Sequence, residues 1–156
     1  MTRTFMLMLL LLLSSCEPNN PAAPSYMEID AIHVYKYPEF DGSTAWDDPL
    51  IGATTLPDPY LIVYGNDTLV TEYLNDRSND TLHYYFSEPL RVSAVEDQCS
   101  IQLWDKDDLN WSDTGSEDDL MGGLNFIPLQ LEGDETRQII EIQNARLHFR
   151  LSVNYR

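Results

Sequence analysis

Basic residues are scarce in this chain. Nine lysines and arginines stand against 26 aspartates and glutamates, giving a formal net charge of −17. Such a surface repels phosphate backbones and anionic headgroups, so no nucleic-acid partner is expected. Cysteine is nearly absent too. Cys16 and Cys99 are the only two, too few for a disulfide-stapled scaffold. The three histidines, His33, His83 and His148, lie far apart in sequence without zinc-type spacing, and read as ordinary strand residues. The chain shows no Ser-His-Asp grouping, glycine-rich phosphate loop or histidine metal site, so an enzyme is not expected. No stretch has sustained helical periodicity, which argues against a parallel α/β sheet. The longest apolar run, Phe5 to Leu13, is too short for the ~20 residues of a membrane-crossing helix.

What that run does fit is a secretion signal. Met1-Thr2-Arg3-Thr4 is a short basic start, Phe5–Leu13 is apolar, and small residues follow. Leu13-Ser14-Ser15-Cys16 resembles the bacterial lipobox, in which the cysteine sulfur receives a diacylglycerol before cleavage. The resemblance implies a signal peptide over residues 1–15 and a lipid anchor, with palmitate-type acyl chains, at Cys16. Residues 16–25 then form a flexible, proline-rich tether to a domain spanning 26–156. The expected location is the bacterial cell envelope, at the outer membrane, with the bilayer engaged through acyl chains rather than a spanning helix. Of the nine basic residues only Arg3 precedes Cys16, so cleavage leaves a head more acidic still. With Cys16 lipidated, Cys99 has no partner within the chain. It falls in register with Ile101 and Leu103, as a buried small hydrophobe would.

The head reads as all-β. Leu147, Phe149, Leu151, Val153 and Tyr155 alternate with polar residues, the period of a half-buried strand. Gln138–Ile142 precedes it. Further strands are expected over Met27–Tyr37, Tyr60–Tyr64, Thr68–Leu74, Leu82–Phe86, Leu90–Val95, Ser100–Trp104 and Leu124–Leu129. Eight or nine short strands in one domain imply an antiparallel β-sandwich. Asn-Asp-Thr-Leu occurs twice, at Asn66–Leu69 and Asn79–Leu82, where two turns are the first explanation.

The carboxylates cluster where strands do not. Asp41, Asp47, Asp48 and Asp58 precede the strand at Tyr60. Asp105, Asp107, Asp108, Asp113, Glu117, Asp118 and Asp119 fill the segment after Trp104. Crowding like charges into two loops is unfavourable unless a cation compensates them or the loops are fully solvated. Calcium suits such loops, since it accepts 6–8 oxygen ligands in irregular geometry. An EF-hand does not fit. Counting from Asp105, its sixth and twelfth positions hold Asn110 and Ser116 instead of Gly and Glu. Asp113-Thr114-Gly115-Ser116 matches an aspartic-protease signature. Its polar lead-in, the lack of a second copy and the surrounding acids argue against a shared-proton dyad.

Three motifs in order carry a more specific likeness. Asp58-Pro59-Tyr60, Asp105-Lys106-Asp107 and Asp119-Leu120-Met121-Gly122 together resemble the C2 domain family, whose members are eight-stranded antiparallel Greek-key β-sandwiches with calcium-binding loops at one end. Carried over by position, the resemblance implies Ca²⁺ ligands at Asp48, Asp58, Asp105, Asp107 and Asp119. Asp47, Asp113 and Asp118 are alternatives, because the first and third loops are longer than the family pattern. The resemblance also implies a non-catalytic role. The expected function is a lipid-anchored calcium-binding module that serves a structural purpose or binds an envelope protein. Calcium-dependent phospholipid binding is a second reading, with Trp46 and Trp111 at the loop tips either inserting into a bilayer or partner or capping the loops. A calcium-independent adhesion or carbohydrate-binding sandwich, with Trp111 stacking on sugar, is a third.

Overall fold

The computed structural model of the chain describes residues 23–40, 46, 56–75, 77, 80–93, 95–106, 118–131, 133 and 136–156. Cys16 and the residues expected to form a signal peptide lie outside the described residues. Eight strands follow one another: β1 (Met27–Lys36), β2 (Pro59–Tyr64), β3 (Thr68–Val70), β4 (Leu82–Val92), β5 (Cys99–Asp105), β6 (Asp119–Phe126), β7 (Arg137–Gln143) and β8 (His148–Tyr155). They form two four-stranded sheets ordered β4-β1-β8-β7 and β3-β2-β5-β6. Every pairing is antiparallel. Strands distant in sequence lie side by side, β1 with β8 and β2 with β5, which is Greek-key connectivity. A short 3₁₀ turn at Pro128–Leu131 follows β6, and among the described residues there is no α-helix.

The alternation seen in sequence becomes the sandwich interior. On β8, Phe149, Leu151, Val153 and Tyr155 face inward, and on β5 Cys99, Ile101 and Leu103 meet them from the other sheet. Each fully buried large aliphatic or aromatic side chain contributes about 1.5–3 kcal/mol relative to exposure. Cys99 is buried, and that burial pushes its thiol pKa up, with Asp97 adding to the effect. It is a packing residue rather than a nucleophile.

β1 departs from strict alternation. A bulge between Ile29 and Ala31 shifts its register against both neighbours. Met27 and Ile29 face inward before it, and Ile32 and Val34 after it, while His33 and Tyr35 turn to the outer face. The carboxylate of the bulge residue Asp30 accepts a 2.7 Å bond from the side-chain amide of Asn154. The two β4 segments expected from sequence are one continuous strand. Pro89 does not interrupt it because it falls in an irregular stretch, residues 86–89, that has no partner in register on β1, and β4 is an edge strand on its other side. β3 ends at Val70 rather than Leu74, although the amides of Thr71 and Leu74 still reach the carbonyls of Leu61 and Pro59. β6 begins at Asp119, five residues before Leu124, in a stretch whose glycines hide its strand character.

Polar ties join the sheets at the β2 end. The Tyr84 hydroxyl, on β4, donates a buried 2.9 Å bond to the Pro59 carbonyl on β2. Burial raises the Tyr84 pKa well above the ordinary phenol range, so it remains a donor. Tyr84→Phe should cost about 1–2 kcal/mol by leaving that carbonyl with one buried partner fewer. Urea unfolding checks this, and an unchanged midpoint would show that the tie contributes nothing.

Candidate functional site

Three strand ends bring the acids together. Pro59 at the start of β2 pairs with Asp105 at the end of β5, and Asp105 pairs with Asp119 at the start of β6. Asp58 immediately precedes Pro59, and Asp118 immediately precedes Asp119. Residues far apart in sequence thus become neighbours at one end of the β3-β2-β5-β6 sheet.

Asp105 is the centre of this group. Counting by twos from Cys99 through Ile101 and Leu103 reaches it, and it is fully buried, the last position of the inward-facing stripe of β5. One of its oxygens, Oδ1, accepts a 2.6 Å bond from the Asp58 amide. The Lys106 amide returns a 3.2 Å bond to the Asp58 carbonyl. The bases of the first and third loops are therefore locked by two bonds. A buried carboxylate is costly unless hydrogen bonds or a cation offset its lost hydration.

Around it the site is anionic. Asp118 accepts a 2.7 Å bond from the Tyr60 hydroxyl. Burial, and then that bond, raises the Tyr60 pKa, so Tyr60 acts as a fixed donor. The Lys106 ammonium sits 4.5 Å from the centroid of the Tyr73 ring, a cation–π contact. Asp119 is exposed.

Of the expected ligands, Asp58, Asp105, Asp118 and Asp119 are thus brought to one end of the sandwich. Asp47, Asp48, Asp107 and Asp113 lie outside the described residues. Among the described residues, no group of three or more His, Cys, Asp and Glu is arranged to hold a metal on its own. Their chemistry nevertheless fits a hard cation: carboxylate oxygens only, one of them fully buried, without thiolate or imidazole. Trp46 is not a free loop-tip side chain. It is buried, and its indole N–H donates a 3.0 Å bond to the Pro38 carbonyl. Trp111 lies outside the described residues.

The architecture has solved counterparts. A structure of extended-synaptotagmin 2 comprising its SMP domain and a pair of C2 domains aligns over 86% of this chain with a TM-score of 0.55 and 17% identity, covering 28% of that chain. The fold is that of a C2 domain. A calcium-bound structure of the two C2 domains of extended-synaptotagmin 2 matches with a TM-score of 0.53 and 17% identity, over 86% of this chain and 46% of that one. Human GIVD cytosolic phospholipase A2, solved with a fluorophosphonate inhibitor and terbium chloride, matches with a TM-score of 0.54 and 15% identity. That match covers 85% of this chain and 17% of the phospholipase, so the C2-like chain spans only a small part of that protein's length. No protein-family model and no curated protein sequence matches this chain.

On the other sheet, His33 and His83 are directly paired across β1 and β4, with their Nδ1 atoms 2.7 Å apart. Nothing local in either strand signals this, because the pairing follows from the Greek-key path and the bulge at Asp30.

Proposed function

We propose that the chain is a non-catalytic, calcium-binding C2-like module, held in the bacterial envelope by a lipid on Cys16, with a structural or protein-binding role. The observation that carries this reading is the fully buried Asp105 carboxylate, set among Asp58, Asp118 and Asp119 where three strand ends meet. Asp48 and Asp107, from the flanking loops, complete the proposed ligand set, with Asp47 and Asp113 as alternatives. When bound, Ca²⁺ supplies the charge neutralisation these loops need. The protein supplies the oxygens and, through the Asp58–Asp105 bond, a fixed base for the loops.

Protein binding is favoured over phospholipid docking. Trp46 is packed into the core and cannot serve as a membrane wedge, and the acidic head repels anionic headgroups. The test is thermal unfolding of residues 26–156 in calcium and in chelator, alongside sedimentation with anionic vesicles. At a calcium concentration 100-fold above its Kd, stability should rise by ~2.7 kcal/mol, and the vesicles should not carry the head down. An unmoved midpoint would defeat the calcium assignment. Calcium-dependent sedimentation would replace the protein-binding role with a phospholipid one.

A further inference from the structure

The outer face of the β4-β1-β8-β7 sheet gathers all three histidines of the chain. His33 and His83 sit directly opposite one another in register, so their rings leave the sheet on the same side. Tyrosines flank the pair. The Tyr85 ring lies 5.5 Å from His33 and is stacked near-parallel to His83 at 6.2 Å, and Tyr35 lies 6.4 Å from His33. Tyr35 is itself fixed, with the Arg150 guanidinium over its ring at 4.6 Å and bonded to its hydroxyl at 2.9 Å. Glu141 neutralises Arg150 through a 2.7 Å ion pair and also contacts His148 at 3.3 Å. The two imidazoles are therefore braced on both sides, and their Nδ1 atoms stand 2.7 Å apart, within hydrogen-bond distance, at an exposed position.

We propose that His33 and His83 form a two-imidazole site for a divalent transition ion of the copper class, separate from the acidic end of the sandwich. Imidazole nitrogen selects copper, nickel and zinc over calcium and magnesium. Geometry discriminates further. Two nitrogens bound at the usual 2.0–2.1 Å lie about 3.4 Å apart at a tetrahedral ion and about 2.9 Å apart when cis in a tetragonal plane. The observed 2.7 Å is close to the cis arrangement, so a small parting of the rings admits a tetragonal ion such as Cu²⁺. Water fills the other positions. Burial, His83 and Arg150 together lower the His33 pKa. The negative charge of the protein also raises the local cation concentration.

The test uses the full-length chain with excess Ca²⁺ to occupy oxygen-rich sites, and Cu²⁺ as the probe, followed by electron paramagnetic resonance. One equivalent should give a tetragonal spectrum with coupling to two nitrogens. His33→Gln and His83→Gln alter exposed or half-exposed side chains and should each reduce the coupling to one nitrogen. Each should weaken binding by more than about tenfold, the loss typical of even an outer-shell partner. His148→Gln should leave the spectrum as it was. A wild-type spectrum without two-nitrogen coupling, or one that survives both glutamine variants, would overturn the proposal and leave the pair as a shared-proton hydrogen bond.

Discussion

Asp105→Asn should leave the head at least as stable as the parent in chelator, yet remove the stabilisation proposed for calcium. The two halves of this result have different causes. In the amide variant the side-chain oxygen still accepts the Asp58 N–H, so the 2.6 Å bond at the loop base survives. What disappears is a charge buried beside Asp58, Asp118 and Asp119, and losing that repulsion offsets any weakening of the bond. Added calcium then finds a neutral oxygen where a buried carboxylate stood. The gain of ~2.7 kcal/mol expected at 100-fold Kd should fall to near zero at the same calcium concentration. Unfolding curves of the two proteins should therefore coincide or cross in chelator and separate in calcium. If Asp105→Asn were strongly destabilised in chelator and still responded fully to calcium, Asp105 would be a structural staple and not a ligand.

Gly122→Ala should be the most damaging small substitution at this end of the sandwich, at about 3 kcal/mol. Gly122 has φ of 150°, a conformation that side-chain-bearing residues rarely adopt. An added Cβ would also stand 2.9 Å from Cδ1 of Leu147, itself buried in the core. The position matters because of the adjacent bulge. Leu103 pairs with Gly122 and Trp104 with Leu120, leaving Met121 as the extra residue. Without the bulge, Leu120 rather than Asp119 would stand opposite Asp105. Relief of the strain by flattening the bulge would therefore weaken the proposed calcium binding along with the fold. Gly123→Ala is the control. Its added Cβ meets Gln102 and the Ile101 carbonyl at 3.2 and 3.3 Å, tight but without the backbone strain. Urea unfolding should rank Gly122→Ala well below Gly123→Ala, and equal midpoints would remove the bulge from the account.

Much of the fold is legible in the sequence because burial imposes a period of two. The β8 stripe from Phe149 to Tyr155 and the β5 stripe from Cys99 are plain in the sequence, and both appear in the structure as expected. The same period carries a further signal. Extending the β5 count by one step places Asp105 in the core stripe, and so marks it as the acid whose charge is hardest to leave uncompensated. β6 is longer than its sequence suggests because Met121-Gly122-Gly123 has little strand propensity. Pairing with β5, not local preference, extends it back to Asp119. The inward turn of Ile32 and Val34, and with it the outward turn of His33, depends on a bulge at Asp30 that alternation cannot foresee. Cross-strand partners such as His33 and His83, or Tyr84 and Pro59, depend on which strands become neighbours. That is a property of the Greek-key path rather than of any one segment.

The most direct measurement is calorimetric titration of calcium into residues 26–156, with Asp105→Asn beside it. Saturable heat that vanishes in the variant is the predicted result. An absence of heat in the parent at millimolar calcium, or identical isotherms for both proteins, would contradict a divalent ion held at the junction of β2, β5 and β6.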